Sequence, residues 1–177
     1  MSRKDELIDQ YRHIHATKTY GRSSEVMVGY IQRPLDDIPK IRSVLDFGCG
    51  QSRLVDWMGA INDAKVYRYD PAIPEFADMP VDKVDLVLCT DVMEHIPIED
   101  VDDLLATIRS LSKHAFFNIS VREAKEILPN GENAHCTVQP PPWWRARLLK
   151  HYRTVRRTRS PDQSAVSFLT WPDRKDD

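Results

Sequence analysis

The chain has 177 residues, of which 41% are hydrophobic and 29% charged, with a formal net charge of −2. That length suits one domain with a three-layer α/β core, or one domain with a short appendage, and the near-neutral charge excludes a global electrostatic pull toward nucleic acid or membrane surfaces. Cys49, Cys89 and Cys136 make neither a CxxC pair nor a disulfide framework, the amino terminus has no apolar signal core, and no apolar run approaches the roughly 18 residues that span a bilayer, so a soluble protein of a reducing cytoplasm is expected.

Residues 2–15 read as an amphipathic helix: Ser2 and Asp5 have the look of a capping box, and Leu7, Ile8, Tyr11 and Ile14 share a face. A short loop with Tyr20 and Gly21 leads to a second helix, which begins near Ser23 or Ser24, carries Val26, Met27, Tyr30 and Ile31, and stops at Pro34. The first strand is 42–46, a short helix after Gly50 ends near Gly59, and the second strand is 65–69. Only residues 71–83 separate this strand from the apolar strand 84–90. A crossover between parallel strands needs about 10–12 residues, and Pro71, Pro74 and Pro80 oppose regular structure. A further strand and helix are therefore expected to be missing or vestigial here.

A helix over 99–113 opens with Glu99, Asp100, Asp102 and Asp103, which suit the positive end of its dipole. Val101, Leu104, Leu105, Ile108 and Leu111 form its buried stripe. An apolar strand, 115–121, precedes a long loop, 122–139, and prolines 140–142 open a helix over 143–152. Two β-like runs, 153–159 and 164–170, close the chain as a hairpin. No internal repeat is present.

The most informative stretch is Val44-Leu45-Asp46-Phe47-Gly48-Cys49-Gly50, an apolar strand that ends in an acid and a glycine-rich turn. Asp70 closes the second strand twenty-four residues after Asp46. This is the layout of a nucleotide-type pocket at the carboxyl ends of parallel strands. A pyrophosphate fingerprint would need a third glycine where Arg53 stands, and no Walker loop is present. The turn suits a nucleoside without phosphates and with a cationic tail.

Asp46-x-Gly48-x-Gly50, Asp70, and the segment Asp85 to Ile96 with its Asp91 and Glu94-His95 pair together resemble class I S-adenosylmethionine-dependent methyltransferases, in particular small stand-alone enzymes of bacteria and phages. The match spans roughly residues 40–121. The resemblance implies an α/β, Rossmann-like class I fold: a mostly parallel sheet with an antiparallel last strand and, in this chain, a reduced third-strand region. It implies an amino-terminal helical lid, 1–40, over a core of 41–177, with His15 and Tyr20 as candidate ligand contacts. It implies S-adenosyl-L-methionine as cofactor. Asp70 would take the ribose diol, Gly48, Cys49, Gly50 and Pro71 would surround ribose and tail, and Asp46 would order the ammonium directly or through water. Asp91 would meet the donor's tail. Asp78, beside Met79, is the candidate adenine ligand, unless Phe76 or Ile73 covers the ring instead.

On the acceptor side the candidate catalytic residues are Glu94, His95 and His135. An imidazole titrates near neutral pH, and His135 sits in the kind of long loop that tends to carry function, which places it slightly ahead of His95 as acid or base. Arg122 could meet an anionic acceptor. Residues 145–159 hold Arg145, Arg147, Lys150, Arg153, Arg156, Arg157 and Arg159 with no acid; they read either as a basic rim or as a solvated face that blunts a sheet edge. No metal is expected, because His95, His114 and His135 lack ligand spacing and Cys136 beside His135 makes a poor pair. The expected activity is O- or N-methylation of a small-molecule or glycan-like acceptor. A nucleic-acid methyltransferase remains an alternative, weakened because Thr90-Asp91-Val92-Met93 stands where base N-methylases carry Asn/Asp-Pro-Pro-aromatic. A non-catalytic S-adenosylmethionine-binding module is the other.

Overall fold

The computed structural model describes residues 3–19, 22–161 and 163–173. Ser2, Tyr20 and Gly21, and with them the expected capping box and the Tyr20 contact, lie outside the described residues.

Among the described residues six strands form one sheet in the order β2-β1-β3-β4-β6-β5. They are β1 Ser43–Phe47, β2 Lys65–Tyr69, β3 Leu86–Thr90, β4 Ala115–Ser120, β5 Arg156–Thr158 and β6 Ala165–Leu169. The first four run parallel, and β6 is antiparallel to both β4 and β5. Strand β3 is buried along its whole length, as its unbroken apolar run requires of a central parallel strand.

Alternate residues of each strand serve opposite faces. Leu45, Phe47, Val87, Cys89, Phe117 and Ile119 face the helices α4 (Val101–Leu111) and α5 (Pro141–His151), which contribute Val101, Leu105, Ile108, Trp144 and Leu148. Val44, Leu86, Leu88 and Phe116 face α2 (Val28–Gln32) and α3 (Leu54–Asn62), with Met27, Ile31, Leu54, Val55 and Met58 between them. The result is a three-layer α/β sandwich.

Several boundaries shift by one to three residues, and two larger differences from expectation have a physical reason. The second helix is a 3₁₀ turn, Arg22–Met27, then α2, then a second 3₁₀ turn, Arg33–Asp37. Pro34 does not stop it, because it lies in the first turn of that last segment, where no hydrogen bond from its nitrogen is needed. Helix α3 passes through Gly59 and closes at Asp63, whose φ of 53° is left-handed. Gly59 serves packing rather than capping: a Cβ there would overlap the Val66 side chain of β2. Between β2 and β3 the described chain has one three-residue 3₁₀ turn, Pro74–Phe76, and no strand. The third-strand region is therefore reduced, and β2 is a sheet edge.

Helix α1 (Arg3–Thr17) packs Leu7 and Ile14 on Leu128 and Ala134 of the loop 122–139, away from both faces of the sheet. No helix among the described residues is long and apolar enough to cross a membrane.

Replacing Gly59 with Ala tests the α3–β2 contact. Alanine outranks glycine by about 1 kcal/mol in an unhindered helix, yet overpacking costs about 1–3 kcal/mol. Urea unfolding should show the variant less stable than the parent; equal or greater stability would mean that Val66 moves aside freely.

Candidate functional site

The chain's polar groups converge where β1, β2 and β3 end. Gly48 and Gly50 take φ of 75° and 50°, a region that favours glycine. The N–H groups of Gly48 and Cys49 donate to the Tyr69 carbonyl at 2.7 and 3.1 Å, so the turn is tied to the end of β2. Asp70 is 7% exposed. Its two carboxylate oxygens accept from the N–H groups of Gly50 and Ala72, both at 2.9 Å. A Cβ on Gly48 would overlap Val92. These groups line a cavity of about 120 Å³ with Pro71, Thr90, Asp91, Val92 and His95, and Tyr11 and His15 of α1 cover it.

Three candidate donor ligands do not line that cavity. Asp46 is 1% exposed, and neither of its carboxylate oxygens has a hydrogen-bond partner. Burial pushes its carboxyl up to about 7, against the pull of Arg68 and with help from Asp70 and Asp56. The Cys49 thiol is buried, and that burial raises its pKa. Asp78 and Met79 are exposed, while Phe76 lies under the Arg68 guanidinium, 5.6 Å from ring centre to carbon.

A second cavity, of about 470 Å³, opens beside the first. Asp91, Glu94, His95, Asn118, Arg122 and His135 are on its wall. Asp91 and His95 line both cavities. Asp91 holds a left-handed φ of 56°, an uncommon conformation for a non-glycine residue. Its carboxylate accepts from Ser23 Oγ at 2.7 Å and Asn118 Nδ2 at 2.8 Å. Glu94 is fully buried; Oε1 accepts from the Ser120 N–H at 2.8 Å, and Oε2 has no hydrogen-bond partner. Burial, reinforced by Asp91, pushes the Glu94 carboxyl up to about 8.

The two histidines are held by backbone carbonyls. His95 Nδ1 lies 2.8 Å from the Ala134 carbonyl and 2.6 Å from Tyr11 Oη, which itself donates to Ala134 at 3.0 Å. His135 Nδ1 lies 2.6 Å from the Arg122 carbonyl. A carbonyl only accepts, so each ring carries its hydrogen on Nδ1 and leaves Nε2 with a free lone pair. The ring centroids are 4.8 Å apart. Desolvation holds the His95 pKa down to about 4. Asn133 is a clamp: it accepts from the N–H groups of Ala124 and His135 and donates to the Ala124 carbonyl.

The basic run is disposed differently from the expected rim. Arg145 and Arg147 do not line the larger cavity. Arg147 and Lys150 pair with Asp102 at 2.7 and 2.8 Å, and Arg156 pairs with Asp37 at 2.7 Å. Tyr11, Ser23 and Asn118 are site residues that the sequence reading missed. Only Asn118, a polar residue within an apolar strand, carried a signal.

A family model described as "Methyltransferase domain" matches residues 19–170. Against curated proteins the chain finds no match. Among solved structures it is similar to 1,6-didemethyltoxoflavin-N1-methyltransferase of Burkholderia thailandensis, with bound 1,6-didemethyltoxoflavin and S-adenosylhomocysteine, at a TM-score of 0.65 and 14% identity over 96% of this chain and 89% of that one. It is similar to magnesium protoporphyrin IX methyltransferase of Synechocystis PCC 6803 with bound S-adenosylhomocysteine, at 0.55 and 14% over 96% and 87%. A methyltransferase from Archaeoglobus fulgidus aligns at 0.54 and 17% over 76% and 72%. At these identities the likeness concerns the fold, which is the Rossmann-like class I methyltransferase fold.

Glu94 and Asp46 give a pH prediction with a definite sign. Both have raised folded-state pKa values, so the stability tied to their protonated forms is present at low pH and lost as pH rises toward about 8 and about 7. His95, whose pKa is lowered to about 4, acts oppositely: its share is complete above the ordinary histidine value and fades as pH falls below it. Between the ordinary histidine pKa of about 6.5 and pH 8, only the acids change stability among these three. Urea unfolding of the ligand-free protein should show stability falling over that window, and Glu94→Gln should flatten the fall. An unchanged slope would mean Glu94 is ionised in the folded chain.

Proposed function

The chain belongs to the methyltransferase-domain family, and we propose that it moves the methyl group of S-adenosylmethionine to an oxygen or nitrogen of a small-molecule or glycan-like acceptor. One observation carries this reading: the two cavities meet at Asp91 and His95. Methyl transfer is an in-line displacement, which needs donor and acceptor held on opposite sides of one point.

S-adenosylmethionine takes the smaller cavity. Asp70 keeps lone pairs for the ribose diol beyond the two backbone bonds it accepts, and Gly48, Gly50 and Pro71 bring backbone close to ribose and tail. Asp46 acts on the ammonium through water from beneath the turn. The adenine rests on the open edge left by the reduced strand region, with Phe76, Asp78 and Met79 as its local neighbours. The cavity's 120 Å³ is well below the roughly 300 Å³ of ordinary ligand pockets. Helix α1, carrying Tyr11 and His15, therefore acts as a lid that shifts to admit the donor.

The acceptor takes the larger cavity. Its nucleophile attacks the methyl carbon, the carbon–sulfur bond breaks, and S-adenosylhomocysteine leaves with the electron pair on sulfur. The acceptor's proton is drawn off at the group formed by Glu94, His95 and His135. Arg122 and Lys125, both on that wall, favour an acceptor that carries negative charge. The small-molecule acceptors named for the Burkholderia and Synechocystis enzymes support a small acceptor here.

Calorimetry with S-adenosylmethionine and S-adenosylhomocysteine should show binding of both. Asp70→Ala should weaken it by about 1.5–3 kcal/mol, the contribution typical of a hydrogen bond to a charged group; an unchanged affinity would remove Asp70 from the site. Once an acceptor is identified by screening sugars and small metabolites with methyl-labelled donor, His135→Ala should lower turnover about 10²–10⁴-fold with donor affinity intact. A loss below about threefold would mean that His135 only packs.

A further inference from the structure

We propose that Glu94, His95 and His135 form a binding site for one divalent transition-metal ion, which activates a hydroxyl acceptor. This rests on the methyltransferase reading and specifies how the trio disposes of the acceptor's proton.

One possible ligand atom from each of the three side chains lies within 4.8 Å of the other two. The fold makes this group, since the loop after β4 brings His135 back over the turn that holds Glu94 and His95. Each residue is set up as a ligand by what holds its other polar atom. His95 Nδ1 donates to Ala134 and His135 Nδ1 to Arg122. Metal-binding histidines almost always give their second ring N–H to such a carbonyl or to a carboxylate, which fixes the tautomer and turns the other nitrogen to the ion. Glu94 shows the same division: Oε1 is fixed on the Ser120 N–H, and Oε2 is buried without a hydrogen-bond partner. A buried carboxylate oxygen left so is costly. Asp91 adds a second carboxylate nearby, held by the uncharged Ser23 and Asn118. A bound cation answers both.

Two imidazoles and one carboxylate match the donor set of catalytic zinc sites and of facial-triad iron sites, whereas magnesium and calcium prefer all-oxygen cages. Metal–ligand bonds of about 2.0–2.2 Å require the three atoms to draw in by about 1–1.5 Å. His135, on a loop, can supply that movement. Three protein ligands leave at least one position open, toward the larger cavity where the acceptor sits. An acceptor hydroxyl bound there loses its proton to water at the cavity mouth, because the cation stabilises the alkoxide. The alkoxide oxygen then attacks the methyl carbon and sulfur takes the carbon–sulfur pair.

The test is a titration of the chelator-treated chain of 177 residues with Co²⁺, read by its visible d–d absorption, with Zn²⁺ as competitor. One equivalent of Co²⁺ should bind and be displaced by Zn²⁺. Glu94→Gln and His135→Ala should each weaken binding at least tenfold. His13→Ala, which alters an exposed histidine of α1, should leave it unchanged. His135→Gln with an unaltered circular dichroism spectrum guards against misfolding as the cause of a loss. No saturable Co²⁺ band, or one indifferent to the Glu94 and His135 variants, would overturn the site. Donor calorimetry on the same metal-free sample separates the two claims: intact S-adenosylmethionine binding with no Co²⁺ site defeats the metal alone, whereas absent donor binding defeats the methyltransferase reading beneath it.

Discussion

The architecture of the site depends on one junction, in which Tyr11 Oη, His95 Nδ1 and the Ala134 carbonyl lie 2.6–3.0 Å from one another. It joins the amino-terminal helix, the turn after β3 and the loop after β4. Each bond contributes about 0.5–1.5 kcal/mol net, so its energy is modest. Its effect is geometric. It sets the His95 tautomer, holds α1 across the smaller cavity and anchors the loop 122–139, whose long connection would otherwise be costly to order. Helix α1 also packs on that loop through Leu7 and Ile14, so apolar contact joins the two as well as this junction.

The shortened connection between β2 and β3 has the opposite effect. A sheet that stops at β2 leaves an open edge beside Asp70, with Asp78 and Met79 exposed. The Asp70 end of the cavity is held by the Gly50 and Ala72 N–H groups. The smaller cavity is accordingly walled by the glycine turn and Asp70 on one side and by Tyr11 and His15 of α1 on another.

Much of this was legible in the sequence. The parallel strands announce themselves as unbroken apolar runs, because strands buried on both faces cannot alternate. The glycine turn and Asp70 are local in sequence, and the reduced third-strand region follows from counting residues between two clear strands. What stayed hidden depends on long-range pairing. Tyr11 reads as one more apolar position on a helix face, yet its hydroxyl meets His95 across 84 residues. The basic run reads either as a rim or as a solvated face, and the sequence does not show that Asp102, on a different helix, draws Arg147 and Lys150 to itself. Gly59 reads as a helix terminator, although its missing side chain serves Val66. Sequence spacing says nothing about Glu94, His95 and His135 as neighbours, because a returning loop brings them together.

The central claim is that two cavities share one wall at Asp91 and His95, and that a methyl group crosses there. A crystal structure with S-adenosylhomocysteine bound tests it most directly. The ribose should lie on Asp70, the tail along Gly48 and Gly50, and the sulfur should face Asp91 and His95 at the mouth of the larger cavity. A product molecule seated in the larger cavity itself, or with its sulfur turned away from His95, would contradict the account.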